Sequence, residues 1–160
     1  MRVFGIDPGV ARVGYGVVEK KNNTYHLIDA GLISTNVGVP LAQRLYLIHE
    51  EARRLLKKHR PDIVAIEKLF FSNNAKTAFS VGQAWGVLSF TAASLKLPTV
   101  EFTPLQIKQA VTGYGQAPKS QVEQMLKKLL KADKFPGPDD VADAIACAYC
   151  AASQPPIYHG

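Results

Sequence analysis

The sequence predicts an α/β domain built on a mixed five-stranded sheet, its first three strands antiparallel and the remainder parallel, with helices flanking both faces. Three observations predict it. Three stretches rich in Val, Ile and Tyr follow one another closely from the N-terminus, a continuous apolar run ends in the acid Glu67, and helical periodicity dominates the intervening and following segments.

Met1 to Ile6, Val13 to Glu19 and Tyr25 to Ile33 are the first strands, and the Gly and Asn turn signals between them make an antiparallel meander. Leu41, Leu45, Ile48, Ala52, Leu55 and Leu56 recur at helical spacing, so Leu41 to His59 is a helix that Pro61 stops. Asp62 to Glu67 reads as a strand buried on both faces, hence central. Asn74 to Leu95 is a long helix and Thr99 to Phe102 a short strand. Helices follow near Leu105 to Thr112, Ser120 to Lys131 and Pro138 to Ala152, the last with Pro138 at its first helical position. Residues 1–153 make one domain, and 154–160 read as a flexible tail.

Nineteen Lys and Arg against thirteen Asp and Glu leave a net charge of +6, which favours an anionic partner such as nucleic acid. No apolar run approaches the roughly 20 residues of a membrane span, and the N-terminus opens on a strand in place of a signal peptide, so a cytoplasmic protein is expected. Cys147 and Cys150 lack the second ligand pair of a structural zinc site and read as small core residues. The four His match no motif and read as surface or capping residues.

Chemistry concentrates in acids at the ends of apolar segments. Asp7 closes the first strand before Pro8 and Gly9, where a rigidly held carboxylate suits a metal ligand and equally suits a turn. Glu67 ends an apolar strand, where a charge costs several kcal/mol unless it is solvated, paired or metal-bound. Its alternatives are a pair with Lys68 or a solvent-facing strand end. Asp140 and Asp143 lie three apart at the start of the last helix, about 60° apart around its axis. The helix macrodipole accounts for Asp139 and in part for Asp140, but poorly for Asp143, which lies beyond the first turn. Four carboxylates near one point repel by about 4 kcal/mol per close pair at an effective dielectric of 20 and need cations. All-oxygen ligands favour Mg²⁺ or Mn²⁺ over zinc, and two such ions can cut a phosphodiester. Residue patterns alone do not bring the three segments together.

Five motifs do so by likeness: G-I-D-P-G with G-Y-G at 5–16, A-I-E-K-L-F at 65–70, the 74–93 helix with G-Q-A-W-G, K-S-Q-V at 119–122 and D-V-A-D-A at 140–144. In this order and over nearly the whole length, the chain resembles the bacterial RuvC Holliday-junction resolvases. The resemblance implies a ribonuclease-H-like fold and a metal-binding active site of Asp7, Glu67, Asp140 and Asp143. It implies two Mg²⁺ per site, with Mn²⁺ able to substitute, Asp7 bridging the ions and the other acids completing their shells. Some family members carry His where this chain has Asp140. Phe70 matches an aromatic inserted at the junction crossover, with Phe71 and a core role as alternatives; Lys108 and Lys119 match basic residues near the scissile phosphate. Arg12, beside the first motif, is a further expected DNA contact. The implied activity is metal-dependent resolution of four-way junctions in recombination and repair, with a branch-migration motor complex as a further partner.

Ala78, Gly82 and Gly86 fall four apart on the long helix, a stripe of small residues that lets another backbone approach. The facing element is either a second helix or the chain's own sheet. The resemblance implies a homodimer, and two symmetric cuts in a two-fold junction call for two symmetric sites. Phe79 and Trp85 beside the stripe read as core residues. Three rival readings remain: an actin-like nucleotide-binding protein, for which one domain is too few; a nucleic-acid-binding module that does not cut; and a nuclease of the same fold with another substrate.

Overall fold

The structure, a computed structural model, describes residues 1–68 and 74–154. Its elements run β1 (Arg2–Asp7), β2 (Arg12–Lys21), β3 (Thr24–Ser34), α1 (Leu41–His59), β4 (Ile63–Glu67), α2 (Ala75–Ser94), β5 (Thr99–Phe102), α3 (Pro104–Thr112), α4 (Lys119–Leu130) and α5 (Asp139–Ser153). They form one five-stranded sheet in the order β3-β2-β1-β4-β5. β1, β2 and β3 pair antiparallel, whereas β4 joins β1 and β5 joins β4 in parallel, as the sequence predicts.

Successive strand residues point to opposite faces, and the two faces are built differently. Phe4, Ile6, Val13, Val17, Val64 and Ile66 form one core with Ile48, Ala52, Leu55 and Leu56 of α1 and Ala84, Leu88 and Ala92 of α2. Val3, Val18 and Ala65 join the other core, with Ile107 of α3, Leu126 and Leu130 of α4 and most of α5. On this second face the strands present glycines where the first presents bulk. A Cβ on Gly5 would overlap the Ala144 carbonyl, and one on Gly14 would overlap that of Asp140. α5 therefore lies with its backbone directly on β1 and β2, buried from Val141 through Ala152 apart from Ala142 and Asp143.

Local chemistry sets the element ends. α1 stops two residues before Pro61, with Arg60 between them in the left-handed region. Thr103 and Gln106 form a reciprocal capping box at α3, with Pro104 at its first position. Pro138 is the N-cap of α5, not its first helical residue, because its ψ of 178° is extended. Both cysteines are buried and free. His26 is exposed, as expected, but two other histidines depart from expectation: His59 is buried, with Asp29 Oδ2 2.8 Å from its Nε2, and His49 Nδ1 meets Thr91 Oγ1 at 2.8 Å. Both lie where α1 packs inward, His59 against the Phe4 ring; His159 lies outside the described residues.

α2 offers a second departure. It buries Ala84, Leu88, Thr91 and Ala92, while Phe79 is 71% and Phe90 65% exposed among the described residues. Phe79 is therefore no core residue: it lies roughly opposite the buried positions around the helix axis. Trp85 does pack against the core. A Cβ on Gly86 would meet nothing within 4 Å, so that part of the small-residue stripe does not press on the chain's own sheet. Ala78 and Gly82 are half-buried. No helix of the described residues is long and apolar enough to cross a membrane. Of the expected tail, only Gln154 is described, as the C-cap of α5.

Candidate active site

Strand parity places the first two acids. Val3, Gly5 and Asp7 share a face of β1, and Ala65 and Glu67 share the same face of β4. The parallel register pairs Ile6 with Ile66, so the next residues, Asp7 and Glu67, stand side by side at the carboxyl ends of neighbouring central strands. The glycine-lined approach of α5 supplies the other two. Gly14, the register partner of Asp7, lies directly under the Asp140 carbonyl, which brings the first turns of α5 over the strand ends.

The electrostatics record this convergence. The Asp7 carboxyl is pushed up to about 8, first by burial and then by Glu67, Asp143 and Asp140. Burial and the charge on Asp143 raise Glu67, which accepts a hydrogen bond from Asp7. Asp143 is raised by burial against the opposing pull of Lys119. Glu67 forms no ion pair with Lys68 among the described residues; its neighbour is Asp7, and it is half-buried at the edge of the cavity. Two carboxyls in contact at strand ends share a proton more readily than they both ionise.

The basic residues are distributed around the acids. Lys119 Nζ donates to Asp143 Oδ2 at 3.1 Å, and this bond raises the Lys119 pKa. Arg12 Nε lies 3.2 Å from Asp140 Oδ2, so the expected DNA contact is held against an acid of the site, with its side chain 56% exposed. Among the described residues, no group of three or more Asp, Glu, His or Cys stands close enough to hold a metal ion as it is. A cavity of about 490 Å³ opens beside the acids, lined by Glu67, Asp143, Lys108, Lys119, Ser120 and Asp139, among others. Lys108 and Lys119 both act on Glu67 through their charge. Ser120 sits in the first turn of α4, whose N-terminus has no side-chain cap and so leaves amide donors facing the cavity end of the helix. Phe70, and Phe71 as its alternative, lie outside the described residues.

Sequence reasoning missed the surface that seats α5. Its signal was present in the alternation of Gly5, Gly14, Gly16 and Ala65 with large apolar neighbours. It also missed that Arg12 faces Asp140, since no spacing rule links a residue at the start of a strand to a helix more than a hundred positions later.

Comparison with known proteins identifies the chain's relatives. Residues 3–151 match the family model for crossover junction endodeoxyribonuclease RuvC. A protein of that name from Caldanaerobacter subterraneus subsp. tengcongensis is 51% identical over 150 residues, spanning 94% of this chain and 91% of the relative. The one from Petrotoga mobilis is also 51% identical, over 94% of this chain and 92% of its own. Among solved structures, Thermus thermophilus RuvC in complex with a Holliday junction substrate superposes with a TM-score of 0.90 at 35% identity, over 95% of this chain and 93% of that one. The chain has the ribonuclease-H-like fold and belongs to the crossover junction endodeoxyribonuclease RuvC family.

Proposed function

We propose that the chain is a structure-selective endonuclease that resolves Holliday junctions by two symmetric, divalent-metal-dependent phosphodiester cuts during recombination and repair. The observation that carries this reading is the placement of Asp7 and Glu67 at the ends of neighbouring strands, with the start of α5, which bears Asp140 and Asp143, lying over them beside a cavity lined by Lys108 and Lys119. The likeness to a relative solved with a junction substrate supports the choice of DNA.

The donor set fits a hard divalent cation. Its acids offer only oxygen ligands, and Asp7 and Glu67 are half-buried with like charges for neighbours, a combination whose cost a bound cation offsets. Asp7, Glu67, Asp140 and Asp143 would hold Mg²⁺, or Mn²⁺ in its place, as a pair of ions. Bound there, such ions supply an activated water and stabilise the leaving oxygen of the phosphodiester. The chain's own part is to fix the donors on rigid strand ends and a buried helix, and to neutralise the phosphate with Lys108 and Lys119. Arg12 and Lys119 orient Asp140 and Asp143, and both would meet the DNA backbone. The protein acts as a homodimer, through the exposed side of α2 that carries Phe79, Gly86 and Phe90.

The test uses synthetic four-way, three-way and linear duplexes with Mg²⁺ or Mn²⁺. Asp7→Asn is expected to lower the cutting rate by at least about 10³-fold while junction binding survives, because the phosphate contacts lie on other residues. Undiminished cutting by this variant would falsify the metal-site reading, and equal cutting of linear duplex would remove the junction preference.

A further inference from the structure

The loop from Gly113 to Pro118 joins the two cavity-lining lysines, Lys108 on α3 and Lys119 on α4. It is tied down at nearly every residue. Gly113 turns the chain at a φ of 77°, and its carbonyl accepts from Gln109 Nε2 at 2.9 Å. Tyr114 N donates to Thr112 Oγ1 at 3.1 Å, while the Tyr114 carbonyl accepts from Ala117 N at 3.1 Å and lies 3.0 Å from Thr112 Oγ1. Gly115 presses on the Leu105 side chain, and Ala117 is fully buried.

At the tip of this anchored loop the Tyr114 side chain is 55% exposed. Its backbone is engaged on both sides, yet among the described residues its hydroxyl enters none of the side-chain hydrogen bonds and its ring none of the aromatic pairs. A single exposed aromatic is ordinary on a protein surface. A ring held out by an anchored turn that joins, along the chain, two phosphate-binding candidates is different: ordering of the loop has already been met on folding, and a Tyr loses little side-chain freedom on contact. The turn keeps Tyr114 within about 14 Å of Lys119, Cα to Cα, the reach of two side chains closing on one nucleotide.

We propose that Tyr114 stacks on a nucleobase adjacent to the phosphate that Lys108 and Lys119 receive, and so is a specificity-determining contact of this nuclease. The proposal rests on the junction-cutting reading above. Stacking is tolerant of base identity but stronger for large bases, so the contact favours junctions that place a purine at that position.

The experiment uses the full-length protein and a four-way junction carrying 2-aminopurine immediately 5′, or in a second substrate 3′, of the mapped cut, with EDTA present so that strands stay intact. Binding by the wild type is expected to quench the probe at one of the two positions. Tyr114→Ala is expected to abolish the quench and raise the junction Kd by about 5- to 150-fold, the equivalent of one stacked base; Tyr114→Phe is expected to retain both. Quenching and affinity that are the same for Tyr114→Ala and wild type at both positions would overturn the proposal. So would a Tyr114→Phe that fails like Tyr114→Ala, since the hydroxyl and not the ring would then make the contact. Wild-type protein that prefers linear duplex to the junction would instead overturn the reading on which the proposal rests.

Discussion

On one face of the sheet α5 rests on Gly5, Gly14 and Gly16; on the other, α1 and α2 rest on Phe4, Ile6, Val17 and Val64. The first contact is backbone against backbone and admits almost no adjustment. The second is side chain against side chain, and α2 leaves Phe79 and Phe90 uncovered among the described residues. The face that seats the acids is thus the one with the least freedom to move. Helix atoms that lie on strand backbone hold Asp140 and Asp143 to the positions of Asp7 and Glu67, whereas a repacking core would let them drift.

The largest effect that separates the faces is expected from Gly5→Val. Its side chain would have to displace the backbone of α5 at Ala144 and Ala148, so the variant should lose more than about 4 kcal/mol in urea unfolding, or fail to fold. A stable, active Gly5→Val would show that α5 can shift, and the contrast between faces would break. On the opposite side, Phe79→Glu with Phe90→Glu should leave unfolding of the isolated chain nearly unchanged, yet weaken self-association at least about 10-fold in sedimentation equilibrium.

A subtler difference concerns pH. Because the Asp7 carboxyl is held near 8, well above its ordinary range, its contribution to stability is present in full below about pH 4 and is lost as pH rises through about 8. In EDTA, Asp7→Asn should therefore be more stable than wild type by about 1–3 kcal/mol at pH 8.5, with the gap shrinking towards pH 5. Mg²⁺ should close the gap from the wild-type side. A gap that stays constant across this range would mean that Asp7 does not carry the strain assigned to it. The smallest effect is expected from Gly86→Ala: with open space at its Cβ, the helix should gain up to about 1 kcal/mol in dilute chain, while self-association weakens.

These contrasts also explain what was legible in the sequence. Period and turn chemistry placed every strand and helix to within two residues, and the acid at the end of each apolar strand marked Asp7 and Glu67. Parity and parallel register then account for their adjacency, but register across sixty residues is a tertiary fact. Asp143 stood out only because capping explained it poorly. Phe79 was misread because an apolar helix carries no internal mark of which aromatics meet the sheet; only the positions of Ala84, Leu88 and Ala92 fix that. His59 was misread for the opposite reason: its polarity hid a buried place on the last turn of α1, beside the Asp29 carboxylate.

The seating of α5 has a consequence for the making of the protein. Asp7 leaves the ribosome early and Asp143 more than a hundred residues later, and between them the glycine-lined face has nothing to cover it. A nascent chain that has not yet delivered its last helix possesses strands and two carboxylates but no assembled cutting centre. On the site proposed above, an unfinished copy would hold only two of its four acids and would not yet cut DNA.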